Sequence, residues 1–351
     1  MADVRVLIVD DSLTMRALFG GVLERARGIE VVGMAANADE AREMMIKLRP
    51  NVVTLDIEMP GMSGIDFLKE IMRERPTSVV MLSSLTQKGA DISIQAMEIG
   101  AVDCFPKPKS ATAEEFNALA PKLAAIVHAA AKVDMARMRQ VRPTRAAAPE
   151  SQAAFDWNGN MIAMSASMGG VDAMLQLLPA FPKNCPPALI LLQIEEGFVG
   201  PLVNRLKESC AAQIVVAEDG LPLQQGHIYI IADPARHAVV DRWPNPSIRL
   251  LGSDPVNGAR PSASLLFATV AKTAGVHAVG AMLTGIGTDG AAGLKALRAT
   301  GARTICQDQA TSVVHEAPAA AIAAGAVAME LPLGDIAAAA LEGCRRTANA
   351  A

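Results

Sequence analysis

The sequence predicts an α/β protein made of two doubly wound domains. The first is a five-stranded parallel sheet of the flavodoxin-like kind. The second is a Rossmann-like α/β domain carrying a hairpin-rich insert. Three observations lead there. Short apolar runs alternate with stretches of helical periodicity along most of the chain. The alternation breaks once, over residues 131–158. The length, 351 residues, suits about two domains at roughly 150 residues each. The expected layout is a first domain over residues 1–130, a linker over 131–158 and a second domain over 159–351.

Arg5-Val6-Leu7-Ile8-Val9 is a continuous apolar run, the mark of a strand buried on both faces. Residues 13–26 follow as a helix, with Met15, Leu18, Phe19, Val22 and Leu23 at helical spacing. Four more strands are expected over residues 30–33, 51–55, 78–82 and 101–105, with helices over 39–48, 64–73, 91–99 and 113–128. Five β/α units in one domain imply an open parallel sheet with helices on both faces. Arg137, Arg139, Arg142, Pro143, Arg145 and Pro149 then break the pattern and read as a solvated connector. In the second domain, strands are expected over 161–165, 187–193 and 213–217, with helices over 170–178 and 201–209. Strand-like pieces at 227–231, 238–242 and 247–251 have no helix between them and suggest the hairpin-rich insert. Helix 261–274, strand 277–283, helix 290–299, strand 304–307, helix 318–324, strand 326–331 and a last helix from Ile336 complete the alternation.

Composition narrows the function. Lys+Arg 32 against Asp+Glu 36 gives a net charge of −4, which argues against a generally basic nucleic-acid binder. Aromatic residues at 3% leave little for base-stacking platforms. No apolar run reaches the roughly 18 residues of a membrane span, so no membrane insertion is expected. The N-terminus runs straight into a strand without a signal-peptide pattern. Cys104, Cys185, Cys210, Cys306 and Cys344 form no CxxC pair and read as reduced thiols of a cytoplasmic protein.

In a doubly wound sheet, ligands sit at the carboxyl ends of the strands. Asp10 and Asp11 follow the first strand, Asp56 the third, Ser83 and Ser84 the fourth, and Lys107 the fifth. Three converging carboxylates repel one another, so a divalent cation is the natural counter-ion. Mg²⁺ would be held by Asp10, Asp11, Asp56 and the backbone carbonyl of Glu58. One carboxylate could then attack a phosphoryl group, with Lys107 and Ser83 on its oxygens. Lys107-Pro108 is an X-Pro bond open to the cis form. Any one of these residues has a plainer role, and Asp11-Ser12 also reads as a helix cap. Taken together, Val9-Asp10-Asp11-Ser12, Leu55-Asp56-Ile57-Glu58-Met59-Pro60-Gly61, Met81-Leu82-Ser83-Ser84 and Phe105-Pro106-Lys107-Pro108 resemble the receiver domain of response regulators. The resemblance implies Asp56 as phosphoacceptor, a histidine kinase as phosphodonor, and Ser83 as a switch whose rotamer changes on phosphorylation.

The strand at 161–165 ends in Ala166-Ser167-Met168-Gly169-Gly170 before a helix. Ser167 reads either as the cap of that helix or as a hydroxyl where developing negative charge is favoured. A second loop, Thr284-Gly285-Ile286-Gly287-Thr288-Asp289-Gly290, places a carboxylate at another strand end. With Gly226-His227-Ile228-Tyr229-Ile230, Asp254-Pro255-Val256-Asn257 and Arg260-Pro261-Ser262, these stretches resemble the chemotaxis protein-glutamate methylesterase/glutamine deamidase family (CheB) over both domains. The second domain would then be of the methylesterase type. The resemblance implies hydrolysis of glutamate methyl esters, and possible glutamine deamidation, on methyl-accepting chemoreceptors. It also implies a receiver that covers the site until phosphorylated, Mg²⁺ in the receiver alone, and a Ser-His-Asp triad. Ser167 matches the nucleophile and Asp289 the acid.

The histidine does not carry over. The family's Gln-His-Met, two prolines and Gly-Phe stand here as Gln193-Ile194-Glu195-Glu196-Gly197-Phe198, one residue shorter and without His. The neighbouring loops also depart, with Met168 for Thr, Ile286 for Met, and Gly258-Ala259 for Arg-His. A serine hydroxyl is a poor nucleophile without a base, and a triad acid works through the imidazole. His315, in the loop after Gln307, is the one stand-in at the right end of a strand. Glu195 or Glu196 would need a raised pKa to act as base. The opposing expectation is a catalytically weak relative that acts as a phosphoryl sink or as a receptor- or kinase-binding module.

Overall fold

The computed structural model of the chain describes residues 4–84, 86–108, 112–136, 138 and 155–346. Two compact units divide at Gln140/Val141. Most of the expected linker, residues 137 and 139–154, lies outside the described residues. Residues 155–158, which composition assigns to that linker, belong to the second unit. Phe155 is buried, its N–H donates to Asn184 Oδ1 (3.0 Å), and Trp157 bridges to Arg345.

The first unit alternates β1 (Val4–Val9), α1 (Leu13–Glu24), β2 (Ile29–Ala35), α2 (Ala38–Leu48), β3 (Val52–Asp56), α3 (Gly64–Glu74), β4 (Ser78–Ser83), α4 (Gln87–Ile99), β5 (Asp103–Pro106) and α5 (Ala113–Ala131). The strands form one parallel sheet in the order β2-β1-β3-β4-β5. Its central strands are apolar on both faces, and β3 and β4 are buried throughout. The strand order reverses between β1 and β3. Asp10 and Asp11 follow β1 directly, and β3 ends in Asp56. Polar side chains start the helices as N-caps, Ser12 on α1, Asn37 on α2, Ser63 on α3 and Thr86 on α4.

The second unit holds β6 (Met161–Ala166), α6 (Gly170–Leu177), β7 (Ala188–Leu192), α7 (Glu196–Ser209), β8 (Gln213–Val216), β9 (His227–Ile231), β10 (His237–Asp241), β11 (Ser247–Leu251), α8 (Ala263–Thr273), β12 (Ala278–Met282), α9 (Ala291–Ala299), β13 (Arg303–Gln307), α10 (Glu316–Ala323), β14 (Met329–Leu331) and α11 (Leu333–Glu342). Seven strands form a parallel sheet in the order β14-β13-β12-β6-β7-β9-β8. Met161 and Ala163 on one face pack with Leu266, Phe267, Val270, Leu294 and Leu297 of α8 and α9. After β6 the chain winds toward β7, and after β12 toward β13. The β6/β12 border is therefore the switch point.

The insert is smaller than the sequence suggests. The first of its three strand-like pieces enters the main sheet as β9, parallel to β7 and β8, and only β10 and β11 make a hairpin. A parallel neighbour needs a crossover, and 217–226 supplies it without a helix. The cis X-Pro bonds among the described residues are Trp243-Pro244 and Arg260-Pro261, so Lys107-Pro108 is trans.

Candidate functional site

The receiver cluster assembles as the strand ends require. Ligand oxygens of Asp10, Asp11 and Asp56 lie within 4.8 Å of one another. Asp10 and Asp56 are buried and Asp11 is exposed. Lys107 Nζ sits 2.8 Å from Asp10 Oδ2 and 2.7 Å from Asp56 Oδ2. Asp10 Oδ1 accepts the Ser12 N–H at 2.9 Å, and Asp56 Oδ1 accepts the Glu58 N–H at 3.3 Å. The cap reading of this stretch also holds: Ser12, not Asp11, caps α1. Burial pushes the Asp56 carboxyl above the usual carboxylate range; Lys107 opposes the shift and Asp10 adds to it.

One ammonium against three carboxylates leaves two negative charges on hard oxygen donors, so the residues fit a divalent cation such as Mg²⁺. Asp10, Asp11 and Asp56 would hold it. Glu58 faces solvent with its side chain, which leaves its backbone for the site.

Ser83 is fully buried, and its hydroxyl reaches toward α4. It lies 3.1 Å from the carbonyl oxygens of both Ser84 and Gly89. Two residues of this site escaped sequence reasoning. Arg16 holds the carbonyls of Asp10 and Asp11 with one guanidinium nitrogen (2.7 and 3.0 Å). Ser93 lies 2.8 Å from Ser83 Oγ. Its spacing from Ala90, Ala96 and Met97 puts Ser93 on the buried face of α4, but nothing in the motif marked it.

In the second domain, Ser167 sits at the β6/β12 switch point. It is not a helix cap. The cap of α6 is Gly169, at φ 77° and without a side-chain bond. A Cβ at Gly169 would approach Val313 to 2.6 Å, so only glycine lets these loops close. Ser167 is half-buried, and its Oγ accepts the Ile286 N–H at 2.9 Å. Its own N–H donates to Thr284 O (3.1 Å). A Cβ at Gly285 would come within 2.4 Å of Ser167 Oγ, which shows how tightly this loop wraps the hydroxyl.

A buried network that the sequence did not reveal holds that loop. Thr284 Oγ1 donates to Met168 O (2.9 Å) and accepts the Val314 N–H (3.0 Å). Thr284 N–H donates to Gln307 Oε1 (2.8 Å), and Gln307 Nε2 donates to Thr311 O (2.8 Å). Three loops are thereby fixed around one serine. The Thr-Gly pair and a glutamine ending a strand were the only signals available.

Asp289 lies on the β12–α9 loop, but its carboxylate faces the start of α8. Oδ1 accepts Ser262 Oγ–H (2.8 Å) and Ser264 N–H (3.1 Å), and Oδ2 accepts Ala263 N–H (2.7 Å). Among the described residues no imidazole contacts it. His237 is fully buried. Its Nδ1 accepts the Ser262 N–H (3.1 Å), and Nε2 lies 3.1 Å from Asp254 O. His128, His227 and His277 bind the Arg27 carbonyl, the Gln225 carbonyl and Asn160 Oδ1 respectively. His315 is the one histidine beside the Ser167 loops. It forms a bridge with Gly285, and its Nδ1 lies 3.4 Å from Ser312 Oγ. Ile194 is half-buried, and Gln193 Nε2 reaches Pro261 O at 3.4 Å. Glu195 stands at the head of α7 and Glu196 is exposed.

All five cysteines are free. Among the described residues no helix is long and apolar enough to cross a membrane.

Comparisons with known proteins agree with this division. Residues 6–115 match the response regulator receiver domain, and residues 162–340 match the CheB methylesterase family. A protein-glutamate methylesterase/protein-glutamine glutaminase of Agrobacterium fabrum is 47% identical over 334 residues, 95% of this chain and 94% of the relative. One from Caulobacter vibrioides is 45% identical over 340 residues, 96% of each. The crystal structure of the Thermotoga maritima CheB methylesterase catalytic domain is 27% identical, with a TM-score of 0.51; it covers 53% of this chain and 98% of that one. A phosphoryl-type acidic cluster and a serine at the second switch point, joined in one chain with full-length relatives of this kind, place it by descent: the chain belongs to the CheB protein-glutamate methylesterase family.

Proposed function

We propose that this chain is a phosphorylation-controlled protein-glutamate methylesterase, and possibly a glutamine deamidase, of the chemotaxis pathway. One observation carries the reading. Ser167 is half-buried at a topological switch point, with the Ile286 N–H already directed at its Oγ. A backbone donor there favours an alkoxide over a hydroxyl. Ser167 attacks the ester carbonyl of a methylated glutamate on a chemoreceptor helix. Methanol leaves with the serine's proton. Water then cleaves the acyl-serine, returning the hydroxyl and freeing the carboxylate. His315 is the candidate group to take the proton, and Asp289 anchors the loop that presents Ile286. The protein works in the cytoplasm, where receptor helices and kinase are both reached.

In the first domain, Asp56 accepts the phosphoryl group from a chemotaxis histidine kinase. Mg²⁺, when bound, neutralises charge on the carboxylate and on the incoming phosphoryl oxygens. Lys107 holds Asp10 and Asp56 in place and supplies a fixed positive charge to the phosphoryl oxygens. Phosphorylation at Asp56 controls the activity of the second domain.

A second reading starts from the geometry around Asp289. Asp289 accepts three hydrogen bonds from the start of α8, and by the family resemblance Ile194 stands at the place of its histidine. On that reading the chain binds receptor or kinase, or drains phosphoryl groups, without turnover. Methanol release from methylated receptor separates the two. Release abolished by Ser167→Ala supports the esterase. No release above a Ser167→Ala control, from protein that still takes phosphate at Asp56, supports the binding role. Unchanged mass after acetyl phosphate and Mg²⁺ would overturn the receiver half of the proposal.

A further inference from the structure

The switch hydroxyl of the receiver has a buried partner. Ser83 Oγ lies at the end of β4, one residue beyond Leu82, the register partner of Asp56. Its main-chain carbonyl accepts the Lys107 N–H at 2.7 Å, so the backbone here is pinned and only the side chain can turn. In this structure the hydroxyl faces α4. The Gly89 carbonyl lies 3.1 Å from Ser83 Oγ and 2.7 Å from Ser93 Oγ, and the two hydroxyls are 2.8 Å apart. Ser83 and Ser93 are both fully buried, so no bulk water competes for these bonds. The two hydroxyl protons serve a short list of acceptors: the Gly89 and Ser84 carbonyls and the hydroxyl oxygens themselves.

We propose that Ser93 is a positioning residue for phosphoryl chemistry at Asp56, acting as a latch on Ser83. The proposal rests on the reading of Ser83 as the hydroxyl that meets the phosphoryl oxygens. Ser93 supplies the hydrogen bond that Ser83 Oγ accepts in its α4-facing rotamer. A phosphoryl group offers a charged acceptor, and bonds to charged groups outweigh neutral hydroxyl pairs. Ser83 then turns, and the Ser93 proton passes to the Gly89 carbonyl, a bond back over one helical turn that is weaker than the hydroxyl pair it replaces. The latch sets how much of the phosphoryl interaction is spent on turning the switch. One neutral hydrogen bond shifts such a two-state balance about fivefold.

The test uses the full chain with Mg²⁺ and beryllofluoride as phosphoryl mimic, its affinity read by fluorine NMR. Ser93→Ala is expected to bind tighter, by up to about fivefold, since at most one neutral hydrogen bond is lost from the unliganded rotamer. Ser93→Thr keeps the hydroxyl and is expected to return to the parent value. In a Ser83→Ala background, Ser93→Ala is expected to have no effect, because the latch has nothing to hold. An equal affinity gain with and without Ser83 would overturn the proposal, since a purely structural role persists in both. So would an unchanged affinity in Ser93→Ala. Should Ser93→Ala not fold, Ser93→Cys, of similar size with a weaker donor, reads the same shift. If Ser83→Ala itself leaves affinity unchanged, the reading of Ser83 fails first, and the latch falls with it.

Discussion

Asp289→Ala tests which role that carboxylate fills. Its oxygens accept three hydrogen bonds, from Ser262 Oγ at 2.8 Å, Ala263 N at 2.7 Å and Ser264 N at 3.1 Å. All three donors belong to the start of α8, where Ser262 is the N-cap. Bonds to a charged acceptor net about 1.5–3 kcal/mol each. A carboxylate at a helix N-terminus adds about 0.3–1 kcal/mol. The site is half exposed, so water will replace part of what is lost. The low end of the range applies, roughly 3–5 kcal/mol in all. For a domain of this size that lowers the melting temperature by roughly 10 °C. Asp289→Asn keeps one acceptor oxygen but turns an amide N–H toward a backbone N–H. It is expected to lose about half as much. Calorimetry of the full chain measures both, alongside methanol release. If Asp289→Ala melts within about 1 kcal/mol of the parent while hydrolysis disappears, the anchoring argument is wrong. The carboxylate would then be serving an imidazole as a triad acid does.

Thr284→Val keeps volume but leaves the Val314 N–H and Met168 O without their partner, at a site with no exposure. It is expected to cost about 2–4 kcal/mol and to speed hydrogen exchange at the Val314 amide. Burial lifts the Asp103 carboxyl from its ordinary 3.8 to about 6, so the folded chain binds that proton more tightly than the unfolded one. The contribution to stability is full below about pH 4, fades as pH rises to about 6, and is flat beyond. Asp103→Asn, whose Oδ1 still accepts the Cys104 N–H, is expected to gain up to roughly 2 kcal/mol at pH 7 and little at pH 4, read from urea melts. Ile194→His returns an imidazole to the family position; a placed general base is worth about 10²–10⁴ in rate. Methanol release unchanged in that variant, with melting intact, would show that the shortened 194–197 turn aims the side chain elsewhere.

The receiver was legible almost in full because its chemistry follows from strand order. Asp10, Asp11, Asp56 and Lys107 lie at or just past the ends of strands, and a parallel sheet lines those ends up; Arg16, bracing the Asp10 and Asp11 carbonyls from α1, is the exception. Asp10, Asp56 and Lys107 therefore converge whatever the loops do. One of the three pieces expected in the hairpin insert lies elsewhere, for the opposite reason. His227–Ile231 has the apolar run of any strand, and nothing local says whether its neighbour is the next piece along the chain or β7, nearly forty residues earlier.

The esterase site shows where the same logic stops. Strand order put Ser167 and Asp289 past the ends of the neighbouring strands β6 and β12; Ser167 follows β6 directly, while Asp289 stands at the far end of the loop, just before α9. What a side chain does depends on its direction, and direction is set by contacts remote in sequence. Ile286 N–H reaches Ser167 Oγ across 119 residues, and Thr284 Oγ1 reaches Met168 O across 116. Asp289 is spent on a helix 25 to 27 residues back. A motif can name the carboxylate but not the donor it has already met. The missing histidine follows a different rule. Its absence from Gln193-Ile194-Glu195 is written in the sequence, whereas the loops that grip Ser167 are intact in the structure. Framework and base are therefore separable. The bonds that hold Ser167 in place run to Thr284, Ile286 and Gly170, and none passes through position 194. A chain could lose its imidazole without loosening the serine, so the fold alone says little about turnover, and Ile194→His addresses the base with the framework left as it is.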